Sequence, residues 1–417
     1  METRPLAAAT APAGAFAARG TLIVRPLAGI RVTDFTNHAA GPYCALMLAL
    51  LGAEVIRIES RARLDIQRRP HPVYGRVEVP NFDHLAGHKK SITLNLKTPA
   101  GAELARELIA VSDTVVENYR AGVMARLGLG WDTLTDLNPR LVMLSLSAYG
   151  QQGPDSARPG YAPIFAAEGG LGSMTGYPDG PPGEIRNNMD HQAGLTAAFV
   201  LVSLLEERQH SGRGAYADLA AREVATMMVG ESVVQSLAGH APMRLGAGHP
   251  VWCPHAIYPT AGDDRWIAIA VRSDEEWQAL VSAMGRPSWT EGLETEDARR
   301  NCRGMIDRRL GSWTVHQNGA ELAFDLQSWG VCAEVSMSAQ DLLEDSHLLK
   351  RGSITTVHHP EHGSRQAVEA PWRFGLADTP FDTWSPELGE HNDEIICGLL
   401  GHDRRQLDRW IADQVVY

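Results

Sequence analysis

The stretch NNMDHQAGL (187–195) sets one carboxylate, Asp190, in front of a long apolar run, AGLTAAFVLVSLL. Two roles suit it. An aspartate just ahead of a helix is a favoured N-cap, because its side-chain oxygen accepts an otherwise orphaned backbone N–H. A carboxylate with a reference pKa of about 3.9 is also ionised at neutral pH, so it can attack a carbonyl without a general base. The roles are compatible, since a helix N-terminus stabilises an anion. A second set of residues has the chemistry of a phosphate site: Arg61, Arg63, Lys97, Asn118 and Arg120, with Lys89 and Lys90 close by. In an acidic chain, basic residues gathered in a few loops suit an anionic ligand. Solvated loop charges are the plain alternative.

The elements that must position these groups follow from the apolar patterning. GIRVTDF (29–35), AEVIRIE (53–59), SITLNL (91–96), DTVVEN (113–118) and RLVMLSLS (140–147) read as buried strands. Helical segments alternate with them. GPYCALMLALLG has Pro42 early in a helix and Gly52 as its stop, and Thr98 caps another helix ahead of Pro99. Strands alternating with helices predict βαβ units and a parallel sheet. Ligands of such sheets bind beyond the carboxyl ends of the strands. Those ends carry the basic residues named above. No G-x-G-x-x-G follows the first strand, which weakens a dinucleotide reading. A helix is expected over about 192–207 and a strand at AYADLA (215–220). Beyond these, RWIAIAV (265–271) reads as a strand. Ser273 to Glu276 reads as a capping box, with Trp277, Leu280, Val281 and Met284 as a core stripe. The expected organisation is an N-terminal disordered extension (1–28), a large domain (29–225), a small α/β domain (226–330) and a C-terminal segment (331–417) that rejoins the large domain.

Bulk properties exclude several functions. The 417-residue chain is 44% hydrophobic and 21% charged, with a net charge of −12. That balance suits a globular protein and speaks against non-specific nucleic-acid binding. No apolar run reaches membrane-spanning length. The five cysteines are scattered without a CxxC pair, so neither a disulfide framework nor a zinc site is expected, and a reducing cytoplasm is the natural compartment. The N-terminus, METRPLAAATAPAGAFAARG, lacks the basic start and apolar block of a signal peptide. VHHPEHG (357–363) offers His358, His359, Glu361 and His362, but the spacing fits no standard zinc motif and Pro360 breaks any aligning helix. No metal is expected. Cys253 has no activating pattern around it and reads as structural.

Taken together, the segments GIRVTDFTNHAAGPYCALMLALLGAEVIRIE, HKKSITLNLKTPAGAEL, DTVVENYRAGVMARLGLGWDTL, RPGYAPIFAAEGGLGSMTGYPDGPP, DHQAGLTAAFVLVSLLEERQHSGRGAYADL and LGEHNDEII resemble the family III CoA-transferases. This is the CaiB/BaiF superfamily of formyl-CoA transferase, carnitine CoA-transferase and α-methylacyl-CoA racemase. The resemblance runs over nearly the whole chain from Gly29. It implies a Rossmann-like large domain built from N- and C-terminal segments, a smaller α/β domain and an interlocked, ring-like homodimer. Acyl-CoA and small carboxylates are the implied substrates.

The resemblance assigns Asp190 as the nucleophile that forms an acyl anhydride and then an aspartyl-CoA thioester. It implies CoA contacts at Asn37, His38, Ala39, Arg61, Leu94, Lys97, Asn118, Tyr119, Arg126 and Tyr161. The match is uneven. A glutamine used near the thioester in formyl-CoA transferase is Ala39 here, and an arginine after the second strand is Ser60, with Arg61 next to it. A glycine-containing loop that shields the intermediates is expected at LGAGHP (245–250). Racemases of the superfamily carry a glycine followed by His and Asp where this chain reads Gly160-Tyr161-Ala162, so transfer is expected in place of racemisation. His191, beside Asp190, is expected to face away from the substrate. A non-catalytic subunit of a heteromeric transferase is the remaining alternative, and the presence of Asp190 argues against it.

Overall fold

The computed structural model describes residues 25–69, 80–185, 188–241, 243–359, 363–374 and 384–417. All but the last four residues of the expected N-terminal extension, and residues 360–362 of the histidine-rich run, lie outside the described residues. Through the first half the order is β1 (Arg31–Asp34), α1 (Ala40–Leu50), β2 (Glu54–Glu59), α2 (Pro80–Ala86), β3 (Lys89–Thr93), α3 (Pro99–Ala110), β4 (Thr114–Glu117), α4 (Val123–Arg126), α5 (Trp131–Leu137), β5 (Val142–Ser147), α6 (Ala162–Glu168), α7 (Leu171–Met174), α8 (Asn188–Ser211) and β6 (Ala215–Ala220). Each strand expected in this half forms within three residues of its expected bounds; β3 begins at Lys89, two residues before SITLNL, and β6 matches AYADLA in full.

Two compact units result. The first comprises 1–160, 187–221 and 346–417, and the second comprises 161–186 and 222–345. In the first, six strands pair in parallel in the order β3-β2-β1-β4-β5-β6. Apolar β-branched runs form such strands because both sheet faces are covered. Phe35, Ile58, Ile92, Leu94, Val115 and Met143 share one core with Leu104 and Leu108 of α3 and with Ile395, Leu407 and Val416 of the C-terminal segment. That segment is also tied to the sheet edge by Asn95 N–H to the Val415 carbonyl (2.8 Å) and Thr93 N–H to Asn392 Oδ1 (2.8 Å). Thr98 caps α3, its hydroxyl accepting the Gly101 N–H at 3.1 Å.

The second unit holds an antiparallel sheet of β7 (His255–Pro259), β8 (Trp266–Ala270) and β9 (Cys332–Val335), in that order. Its core includes Trp277, Leu280 and Val281 with Met284 against it, all on the face expected for them. The capping box is only half made. Ser273 accepts the Glu276 N–H at 3.2 Å, but the Glu276 carboxylate turns to Arg272, taking its N–H at 2.7 Å. A charged partner next door outcompetes the cap's own backbone. Among the described residues no helix is long and apolar enough to cross a membrane, and no cluster of His, Cys, Asp or Glu is arranged to hold a metal ion.

Candidate active site

The strand order reverses between β1 and β4, and the crevice beyond the carboxyl ends of those two strands is where an open parallel sheet takes a ligand. Both edges of that crevice are fixed by one side chain. Asn118, just past β4, accepts the Asn37 N–H at 2.8 Å and donates to the Asn37 carbonyl at 2.8 Å. Thr36 in turn hydrogen bonds Asp34 through its N–H (2.8 Å) and hydroxyl (2.6 Å). A Cβ on Gly41 would lie 2.4 Å from the Thr36 side chain and 2.9 Å from that of Asn118, so only glycine lets α1 start this close to the crevice. His38 adopts φ +66°, which turns the chain from β1 into α1. Ala39 precedes that helix without capping it.

Beneath this turn lies a layer of buried charges. Lys89 Nζ meets Asp34 Oδ2 at 3.3 Å and donates to the Pro42 carbonyl at 2.8 Å. Burial pulls the ammonium down to about 8 against the attraction of Asp34. Arg57 pairs with Asp65, which also accepts the His38 N–H at 3.1 Å and the Gln67 N–H at 2.9 Å. Glu59 takes both Arg68 contacts at 2.7 Å and the Ser91 hydroxyl at 2.6 Å. Burial alone would raise Glu59, but Arg57 and Arg68 outweigh it and hold the carboxyl below its ordinary value. A buried ion pair adds little stability, yet removing one partner strands a charge. The layer therefore fixes the 36–39 turn in one arrangement.

Asp190 does not stand at the N-cap position. The helix starts at Asn188, not near residue 192, so Asp190 is the third residue of its first turn and is half-buried. One turn further on, a Cβ on Gly194 would fall 2.4 Å from the Ala40 carbonyl oxygen and 3.1 Å from the Cys44 nitrogen. Glycine there lets α8 cross directly over the start of α1. His191 turns toward Tyr43 with ring centroids 4.3 Å apart, and it lies near enough to His84 to help burial lower that imidazole. The other end of α8 runs past the expected residue 207 because buried Arg208 reaches Asp113 Oδ1 at 2.9 Å.

The sequence-derived ligand residues fall into three groups. Asn37, His38, Ala39, Asn118 and Tyr119 line the β1/β4 crevice. Burial raises the Tyr119 hydroxyl to about 12 against the pull of Asn37. Arg61, Lys97 and Arg126 are exposed on the loops after β2 and β3 and on α4. Leu94 is fully buried in the core with its N–H given to the Glu59 carbonyl (2.9 Å), so its side chain is a packing group. Tyr161 belongs to the second unit, where it precedes α6 and is 62% exposed. Glu117 was not anticipated. It ends β4 at 2% exposure, with Oε2 accepting the Tyr119 N–H at 2.8 Å, and burial raises its carboxyl to about 7. The signal was available, since a charge inside a doubly covered strand demands partners.

The 245–250 loop lies in the second unit. His255 Nδ1 is 2.7 Å from the Ala247 carbonyl, and the Gly246 N–H donates to Gly176 at 2.8 Å. A Cβ on Gly246 would sit 2.6 Å from the Tyr177 ring. Cys253 is fully buried, donates to the Arg299 carbonyl at 3.3 Å and is raised to about 11 by burial, which keeps it a thiol.

Residues 27–392 match the family described as CoA-transferase family III. Similar proteins include the succinyl-CoA–D-citramalate CoA-transferase of Chloroflexus aurantiacus, 35% identical over 94% of this chain and 98% of that protein. The succinyl-CoA–L-malate CoA-transferase beta subunit of the same organism is 31% identical over 95% of this chain and 100% of that protein. A CAIB/BAIF family protein from Brucella suis superposes with a TM-score of 0.82 at 29% identity, over 90% of this chain and 99% of that one.

Proposed function

Because this chain belongs to CoA-transferase family III, we propose that it moves CoA from an acyl-CoA thioester to a carboxylic acid with Asp190 as the covalent nucleophile. The observation that carries this reading is the close crossing of α8 over the start of α1 at Gly194, one turn from Asp190 and next to the crevice between β1 and β4. A carboxylate in the first turn of a 24-residue helix also has the helix dipole favouring its anion.

The reaction proceeds by four exchanges at carbonyl carbon. An Asp190 oxygen attacks the thioester, the C–S bond breaks, and an acyl-aspartyl anhydride and CoA thiolate result. The thiolate attacks the Asp190 carbonyl of the anhydride and releases the donor as a free carboxylate, leaving an aspartyl-CoA thioester. The acceptor carboxylate attacks that thioester and expels the thiolate again. The thiolate then attacks the acceptor's acyl carbon, which yields the new acyl-CoA and regenerates Asp190. Every intermediate is open to hydrolysis, so water must be kept out.

In this reading the CoA phosphates meet the loop cations Arg61, Lys97 and Arg126, and the pantetheine end runs to the Asn37–Ala39 and Asn118–Tyr119 peptides. Two relatives are named for succinyl-CoA and for malate or citramalate, so succinyl-CoA with a small dicarboxylate is the first pair to assay. The proposed assembly is an interlocked homodimer in a reducing cytoplasm. A second reading, one of two unlike subunits, is favoured by the relative named as a beta subunit. Assaying the purified chain alone separates the two: transfer from succinyl-CoA to dicarboxylates without added protein supports the homo-oligomer, and activity only with a second chain supports the heteromer.

A further inference from the structure

Glu117 closes β4 with a buried carboxylate that no step above uses. Its Oε2 accepts the Tyr119 N–H at 2.8 Å, and Ser145, opposite it in the β4–β5 register, favours the ionised carboxyl. Neighbouring side chains at a strand end point to opposite sides. Glu117 engages β5, while Asn118 holds the Asn37 peptide at 2.8 Å through both its oxygen and its nitrogen. One carboxylate thus fixes the 118–119 peptide, and the next side chain passes that position to the 37–39 turn.

We propose that Glu117 is a positioning residue for CoA: its ionised carboxylate, acting through the Tyr119 N–H and the Asn118–Asn37 clamp, sets the two peptides that flank the thioester end of the crevice. The proposal rests on the CoA placement given above. An ionised carboxylate accepts an N–H more strongly than a neutral one. CoA, binding the set form, then favours ionisation, and by reciprocity affinity for CoA rises as Glu117 loses its proton. Burial, with Asp218 adding to it, raises Glu117 to about 7 against the pull of Ser145 and the Tyr119 N–H, so this change falls near neutrality. The ionisable groups facing Glu117 are Asp218 and Tyr216 on β6 and Tyr119 on its own segment. Burial raises both phenols, which therefore stay neutral through this range.

The test is calorimetric binding of CoA to the wild type, Glu117→Gln and Ser145→Ala between about pH 5.5 and pH 8.5, with melting curves to verify folding. Glutamine keeps the acceptor oxygen and the shape but cannot ionise. Dividing its Kd by that of the wild type cancels every pH effect the two proteins share, titration of the CoA phosphate included. The ratio is expected near one at the acid end and about fivefold to tenfold at the alkaline end. Ser145→Ala is expected to move the wild-type rise to higher pH, because it removes a hydroxyl that favours the ionised form. A ratio that is flat across the range overturns the proposal. Lys97→Ala and Arg126→Ala run alongside. If they weaken CoA binding while the ratio stays flat, the Glu117 role alone fails. If they leave binding unchanged, the CoA placement fails and the Glu117 role fails with it.

Discussion

Asn118 holds the Asn37 peptide from both of its polar ends, accepting the N–H and donating to the carbonyl, each at 2.8 Å. The strand after which each residue falls is the neighbour of the other at the point where the sheet order reverses. An asparagine is the side chain that carries a donor and an acceptor in this geometry. Asn118→Ala removes both bonds and is expected to cost about 1–3 kcal/mol of stability. Asn118→Asp keeps the acceptor but sets an anion against the Asn37 carbonyl. Both variants are expected to raise the KM for acyl-CoA. Unchanged KM in Asn118→Asp would show that the clamp does not govern the crevice.

Gly194 tests the seating of Asp190. An alanine methyl would enter to 2.4 Å from the Ala40 carbonyl oxygen, and a backbone atom cannot swing aside. Gly194→Ala is expected to push α8 off α1, to destabilise by about 1–3 kcal/mol despite alanine's better helix propensity, and to lower kcat. Thermal melting and steady-state kinetics measure the two effects. A variant that gains stability and keeps full activity would contradict the close crossing.

The cations on the loops make a separate prediction. Charge-assisted contacts to phosphate contribute about 1.5–3 kcal/mol each, so Arg126→Ala and Lys97→Ala are each expected to weaken CoA binding by that amount. The loss should shrink as salt rises, because both side chains are exposed. Calorimetry at low and high salt checks this. Affinity unchanged in both variants would move CoA elsewhere.

Much of the fold was legible in the sequence because it depends on local pattern. Five of the six parallel strands announced themselves as apolar, β-branched runs, and the α3 cap followed from Thr98 and Pro99. The start of α8 was misread because Asn188, Met189 and Asp190 carry the polar chemistry of a cap. First-turn N–H groups are unbonded in any helix, so Asp is equally at home within that turn, and Met189, 1% exposed, anchors it. The site was legible only in part. Ion pairs such as Lys89 with Asp34, and hydrogen bonds such as Asn118 with Asn37, join residues 55 and 81 positions apart. No periodicity encodes them. The charges that needed those partners were visible inside GIRVTDF, AEVIRIE and DTVVEN, and they read as strand residues only because apolar neighbours dominated. Leu94 was assigned to the ligand by resemblance, whereas its side chain packs in the core.

Glu117 also gives stability a pH dependence. Its carboxyl is raised from 4.5 to about 7, chiefly by burial. Between those values the folded state binds more protons than the unfolded one, so the contribution is full below about pH 4.5, falls as pH rises, and is lost above about pH 7. Glu117→Gln cannot ionise and escapes that loss. Relative to the wild type it is expected to gain about 2–3 kcal/mol between acid and mildly alkaline pH. Urea unfolding at both ends of the range measures the change. A constant difference between the two proteins would show that Glu117 ionises normally.

The central claim is the covalent role of Asp190, and peptide mass spectrometry tests it most directly. The protein is incubated with succinyl-CoA in the absence of acceptor, quenched in acid and digested. The expected result is an acyl or CoA adduct on Asp190, with no adduct and no turnover in an Asp190→Ala variant that still folds and binds CoA. An adduct on another residue, or transfer by Asp190→Ala near the wild-type rate, would contradict the mechanism.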